Sequence, residues 1–313
     1  MTRIKLMAIG AAALLVLTAC GDGDGDGATE LEGLDGAEVT VGSKQFSEQI
    51  ILGQMMVIAL EEAGAQVTDQ TNLAGTAVLR ESLASGEIDM YWEYTGTAWA
   101  DIFGEEEVIG DPDELLATVA ERDEEENGIV WGERAEFQNT YAIASNQAIL
   151  DEFGVETLSD LAELSQTNQE AATLCIAEEF ATRADGFLGM QEHYGMDIPT
   201  DQQLMDEGII YSETAEAPDS SCNFGMVFST DGRIGALDLV VLEDDQTFFP
   251  EYNPAITVRA EIAEEYPEVV ELANDIIGRI DFDTMRELNL RADEEGIPHD
   301  EVARDFLEEE GII

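Results

Sequence analysis

An α/β fold is what this 313-residue sequence predicts, on two observations. Short apolar segments alternate with amphipathic ones through both halves of the chain, and from Ala260 onward the pattern turns almost wholly helical. A strand–helix–strand rhythm argues for parallel sheets covered by helices, because parallel neighbours need a crossover between them.

The elements follow in order. EVTVGS (38–43) reads as a strand. Ser47 then offers an N-cap to a helix whose apolar face includes Ile50, Ile51, Met55, Ile58 and Leu60, with a stop near Gly64. QVTDQTNL (66–73) is the next strand, AVLRESLASG (77–86) the next helix, and EIDMYW (87–92) a short strand. Helix is expected from Thr97 and again over 112–128, and FQNTYAIAS (137–145) reads as a longer strand. The second half repeats the rhythm, with strands at ATLCIA, FGMVFS and LDLVVLED and a helix over 186–194. Three helical stretches close the chain (260–280, 282–296, 300–311), as expected of a chain that returns to its first domain.

Charge is the outlier in the composition. Seventy acidic residues face thirteen basic ones, a net charge of −57. Such a surface repels nucleic acid and anionic lipid headgroups, which excludes both as partners of the folded domain. The acids are spread along the chain rather than gathered in a tail, which suits a halophile's surface, where concentrated salt screens their repulsion. Lysine occurs only at positions 5 and 44, and Lys5 lies in the leader described next. Lys44 would then be the one lysine of the mature protein, which suggests that it is needed.

The first twenty residues, MTRIKLMAIGAAALLVLTAC, have a basic start and an apolar run too short for a permanent span. They end in Leu-Thr-Ala-Cys, which resembles a bacterial lipobox and makes Cys20 the expected lipidation site. GDGDGDG (21–27) is read as part of a flexible tether over 21–37. It fails as a calcium loop, because Gly33 stands where the closing glutamate belongs. Export implies an oxidising compartment, so Cys175 and Cys222 are expected to bridge, contributing roughly 3–4 kcal/mol in the chain-entropy model.

No catalytic constellation stands out. The chain has two histidines and no Gly-x-Ser-x-Gly, phosphate loop or His-x-x-His spacing. An exported hydrolase would need a nucleophile–base pair that the sequence hardly supplies, so a binding protein without cofactor or metal is favoured over an enzyme. DMYWEYTGTAW (89–99) packs four aromatics into eleven positions of a chain that is 7% aromatic, which suits either core or the wall of a site for a π-seeking ligand.

GSKQFSEQIILGQ, LASGEIDMYWEYTGTAW, EFQNTYAIAS, EEFATRADG, CNFGMVFSTDGRI and LDLVVLEDDQTFFPEYNPAITVR, in that order, resemble the substrate-binding lipoproteins of osmoprotectant ABC transporters of the glycine betaine/carnitine/choline type. The resemblance runs from about Val39 to the C-terminus. It implies a type II periplasmic-binding-protein clamp, two lobes joined by two crossing strands, with lobe I at 38–138 and 253–313 and lobe II at 139–252. It also implies an extracytoplasmic, lipid-anchored protein that hands a small quaternary ammonium solute to permease subunits.

Carried over by motif, the resemblance implies an aromatic box of Tyr94, Tyr141, Phe228 and Tyr252. Phe228 stands where the family often has tyrosine. Asn139 would line the cation end, and Lys44, Arg183 and Thr97 would hold a ligand carboxylate. The residue types suit the chemistry. A quaternary ammonium has no N–H to donate, but ring faces hold it at roughly 2 kcal/mol per desolvated contact. A carboxylate suits Arg as a fork and Lys as a point charge. Choline lacks the carboxylate, which ranks betaines first and leaves choline, carnitine and ectoine as alternatives. Around the box, Trp92 and Tyr91 are read as core on opposite strand faces, Trp99 as packing, and Glu93 as orienting a neighbour.

Overall fold

The structure, a computed structural model, describes residues 33–105, 108–199 and 203–313. The leader, Cys20 and most of the tether therefore lie outside the described residues, and the expected end of the tether is not tether, because Leu34 and Ala37 are buried in the first core and hydrogen-bonded to Ala63 and Gln66. Ten strands form two five-stranded sheets. The first orders β2 (Gln66–Gln70), β1 (Glu38–Gly42), β3 (Met90–Tyr94), β10 (Pro254–Arg259) and β4 (Ile129–Arg134). The second orders β7 (Gln203–Leu204), β6 (Leu174–Ile176), β8 (Phe224–Phe228), β5 (Tyr141–Asn146) and β9 (Leu239–Val241).

The sheets are mixed, not parallel as the rhythm suggested. β10 runs antiparallel to β3 and β4, and β5 antiparallel to β8 and β9. Each of these two strands is the first after the chain changes sheet, so no helical crossover sets its direction. β4 and β10 were not foreseen as strands, since Gly132 and the Glu133–Arg134 pair break the apolar pattern of one and Pro254 opens the other. The single strand expected over 137–145 divides into a connecting segment and β5.

In the first sheet side-chain alternation decides which core each residue joins. Trp92 is fully buried on one face, where its Nε1 donates to the Leu52 carbonyl (2.9 Å). That face is covered by the helix Ser47–Glu62, itself packed against the C-terminal helices Phe282–Asp293 and His299–Glu309, so the chain does return to its first sheet. Leu52, Met55 and Met56 are wholly buried there. Each such side chain contributes about 1.5–3 kcal/mol relative to exposure. Tyr91 points to the other face, among Leu79, Leu83 and Leu115. Ser47 is the first helical residue and no cap. Its hydroxyl donates to Asp293, and the cap position falls on Phe46.

The chain passes between the sheets twice, over 135–140 and 249–253, and the two segments are hydrogen-bonded to each other. Ala135 N donates to Pro254 O (2.8 Å) and Asn139 N to Tyr252 O (2.9 Å). The Asn253 amide donates to the carbonyls of Ala135 and Phe137. Cys175 of β6 and Cys222, two residues before the neighbouring β8, are joined by a disulfide (Cα–Cα 5.7 Å). No helix among the described residues is long and apolar enough to cross a membrane.

Candidate functional site

The aromatic residues meet because of where their strands end. Tyr94 is the last residue of β3 and Phe228 the last of β8, whereas Tyr141 opens the antiparallel β5 and lies directly opposite Phe228 in the register. Ligand sites of open α/β sheets form at such strand ends. Tyr252 arrives on the second crossing segment. Gly96, in the single turn after β3, makes room for it, because a Cβ there would lie 2.6 Å from the Glu251 carbonyl oxygen and 2.9 Å from the Tyr252 ring. The Tyr141 ring centroid is 5.3 Å from that of Phe228 and 5.7 Å from that of Tyr252, the latter edge to face.

A fifth ring joins them. Phe46 stacks on Phe228 at 5.0 Å and 17°, and on Tyr94 at 6.2 Å. The five rings, with Lys44, Thr97, Asn139, Glu179 and Glu207, line a cavity of about 20 Å³. That is room for about one water, so the rings must part to admit anything larger. Beside it a cleft of about 1120 Å³ opens between the sheets, and Arg183 borders this cleft rather than the small cavity. Seven of the eight ligand-site residues expected from the sequence thus line one cavity, and the eighth stands at its mouth.

Both cations of the site already have a carboxylate of the chain beside them. Lys44 Nζ donates to Glu93 Oε1 at 2.7 Å, with both side chains buried, and lies 5.2 Å from the Tyr94 ring centroid. Arg183 pairs through Nε and Nη2 with Asp185, reaches Glu179 at 3.2 Å, and lies 3.4 Å from the Thr97 hydroxyl. Asp185 also accepts from the Tyr252 hydroxyl at 2.6 Å. Glu93 does orient a neighbour as expected, and that neighbour is Lys44. Lys44 keeps further donors, whereas every nitrogen of the Arg183 guanidinium is engaged, Nη1 by Glu179 and by Asp101 at 3.6 Å, so a ligand there exchanges with acids of the chain.

The remaining polar groups are acidic. Glu48 is wholly buried and takes four donors, Tyr94 OH (2.7 Å) and Asn139 Nδ2 (3.0 Å) on one oxygen, Thr230 Oγ1 (2.6 Å) and Asn289 Nδ2 (3.3 Å) on the other. Burial pushes its carboxyl above the usual range against the pull of these hydrogen bonds. Burial likewise pushes Glu207 up, to about 7, helped by the negative charge of Glu179. Glu179 itself is held below its ordinary value, because the charges of Lys44 and Arg183 and a hydrogen bond from Thr76 outweigh its burial. Asn139 presents its Nδ2 to Glu48, and its Oδ1 is buried without a hydrogen-bond partner. Among the described residues no group of side chains is arranged to hold a metal ion.

The family model for the substrate-binding domain of ABC-type glycine betaine transport systems matches residues 37–309. The chain belongs to this family. A glycine-betaine-binding protein of Pseudomonas aeruginosa is 35% identical over 293 residues, covering 90% of this chain and 91% of that one. The glycine betaine-binding protein YehZ of Escherichia coli is 32% identical over 280 residues, covering 87% of this chain and 90% of the other. Among solved structures, one described as a glycine betaine/carnitine/choline ABC transporter aligns with a TM-score of 0.67 at 26% identity, over 87% of this chain and 98% of that one. The fold is the two-lobed, type II binding-protein architecture that the sequence predicted. As a member of the glycine betaine substrate-binding family, the chain is the solute-binding, non-enzymatic component of an ABC transporter. It works outside the cytoplasm with a permease.

Sequence reasoning missed Phe46, Glu48, Asp185, Glu179 and Glu207. Phe46 and Glu48 lie inside the GSKQFSEQ block, and an acid two positions into an otherwise apolar helix was the available signal. Among seventy acids the other three carried none.

Proposed function

We propose that this protein captures a quaternary ammonium compatible solute of the glycine betaine type between its lobes and delivers it to the permease for osmoprotection. The observation that carries this reading is the convergence of Phe46, Tyr94, Tyr141, Phe228 and Tyr252 on one cavity. Its wall includes an amide oxygen that lacks a partner and more carboxylates than cations. Ring faces and uncompensated negative charge both favour a cation that cannot donate hydrogen bonds. Thr97, the further donors of Lys44 and Arg183, the last in exchange for Glu179 and Asp101, take the ligand carboxylate. The lobes are residues 38–138 with 253–313, and residues 139–252, turning on the two crossing segments. A signal over residues 1–20, lipidation at Cys20 and a tether that ends before the packed Leu34 hold the protein at the membrane surface, and the acidic coat suits a halophile.

A second reading, choline, is favoured by one observation, that Lys44 and Arg183 are already paired with Glu93 and Asp185. Calorimetric titration with glycine betaine, carnitine, choline and ectoine tests both. Tight binding of glycine betaine with weak choline supports the first reading, the reverse supports the second, and binding of none of the quaternary compounds overturns both. Cys20→Ser should release the protein from the membrane fraction. Unchanged fractionation would refute the anchor.

A further inference from the structure

Glu48 is buried at 2% exposure, makes no ion pair, and is not needed to explain the rings' arrangement. It sits in the first turn of the helix Ser47–Glu62, where the helix end favours an anion. Its four hydrogen-bond donors come from four places: the end of β3, the first crossing segment, the loop after β8, and the helix Phe282–Asp293. Both oxygens face donors, which favours the ionised form against the burial that pushes its carboxyl up. Burying such a charge without a counter-ion is costly, and chains keep such groups where the charge does something.

Its surroundings show where that charge is felt. Lys44, the cation that lines the ring cavity, is neutralised by Glu93. Two of the donors, Tyr94 and Asn139, themselves line the ring cavity. A phenol donating to a carboxylate carries a more electron-rich ring, which strengthens the attraction of its face for a cation. In a site shut off from water the field of the carboxylate also reaches across several ångströms with little screening. We infer that Glu48 is a specificity-determining residue of this site: its carboxylate, held against Tyr94 and Asn139, supplies the uncompensated negative charge by which the ring cavity selects a cation over an uncharged group of the same shape. This rests on the quaternary ammonium reading above, and it names the residue that reads the ligand's charge while the rings read its shape.

The test compares each cation with its neutral carbon isostere. Choline is paired with 3,3-dimethylbutan-1-ol, and glycine betaine with 3,3-dimethylbutanoate, in which carbon replaces nitrogen. Affinities are measured by calorimetry for the full chain and for Glu48→Gln. The cation-to-isostere affinity ratio should fall at least tenfold in Glu48→Gln, with the isosteres themselves bound within about threefold of the parent protein. Equal loss for cation and isostere would mean that Glu48 only holds the site in shape, and an unchanged ratio would mean that its charge is not felt. Either result overturns the inference. Should Glu48→Gln fail to fold, Tyr94→Phe decides, because it cuts the ring's link to the carboxylate and keeps the ring. Its ratio should fall threefold or more, and an unchanged ratio overturns the inference. If the parent protein binds neither cation, the quaternary ammonium reading itself fails and this inference falls with it, an outcome distinct from binding with an unaltered ratio.

Discussion

Tyr94 turns its ring to the cavity and its hydroxyl to Glu48, so its loss removes two supports at once. Tyr94→Ala should weaken the ligand by about 1–2 kcal/mol or more, the scale of a desolvated cation–π contact. Phe46→Ala should cost a similar amount, and calorimetry that finds either variant unimpaired would remove that ring from the site. Lys44 needs a different experiment, because Lys44→Ala strands Glu93 in the core. That variant should lose about 3–5 kcal/mol of stability in urea. The double variant Lys44→Met/Glu93→Gln should recover most of this loss and should bind glycine betaine, but not choline, more weakly. Equal weakening of both ligands would make Lys44 structural. Glu207 gives a pH signature. Its folded-state value of about 7 lies above the ordinary 4.5, so the folded form holds the extra proton between these limits. Stability from this group is therefore full below about 4.5 and lost as pH rises through 7. Glu207→Gln should flatten the fall in melting temperature over that window, and parallel curves for variant and parent would refute the shift. Four of the five rings were legible because each sits in a short motif, and Phe46 was missed although it lies in one. The acids that partner the cations were not, because sequence shows how many carboxylates exist but not which one a fold brings beside Lys44 or Arg183.

The disulfide ties the sheet of 139–252 internally. It closes a loop with a sequence separation of 47 between adjacent strands. The chain-entropy model gives such a closure about 4 kcal/mol. The variant Cys175→Ser/Cys222→Ser should unfold in urea with a loss of roughly 3–4 kcal/mol, confined to the transition that reports on this lobe. A loss within error of zero would count against the model. Elements with a strong local signal were readable from sequence, the Pro112–Asn127 helix and the Ser47–Glu62 helix among them, although the latter is buried almost all round rather than on the one apolar face expected. β4 and β10 were not, since Trp131 and Ile256 are held by pairing with distant strands rather than by local pattern. The crossing segments looked like strand for a related reason. Residues 137–140 join no sheet ladder, and their backbone hydrogen bonds go to Tyr252 and Asn253 of the other crossing segment and to Ser229 after β8.

For the whole molecule the charge of −57 sets the response to salt. At about 0.1 M salt exposed charges repel over some 10 Å, and at 1 M over about 3 Å. The melting temperature should therefore rise steadily from 0.1 to 2 M potassium chloride, while ligand affinity changes little because Tyr94, Tyr141, Phe228, Tyr252 and the acids Glu48, Glu93 and Asp185 are buried. A melting temperature that is flat or falls over that range would refute the halophile reading. The two-lobed plan was legible only through ordered blocks of motif, because nothing in periodicity says that a chain leaves one sheet and comes back. That return has a consequence for how the protein is made. β10 lies between β3 and β4 in the first sheet, and Thr257 bonds the Tyr91 carbonyl across 166 residues of chain. The first sheet cannot close until the chain is nearly complete, whereas residues 139–252 form their sheet from one continuous stretch. Contacts so distant in sequence form late. The middle of the protein thus assembles before its beginning, and until β10 arrives the edges of β3 and β4 stay open, the interval in which a newly exported chain is most exposed to aggregation.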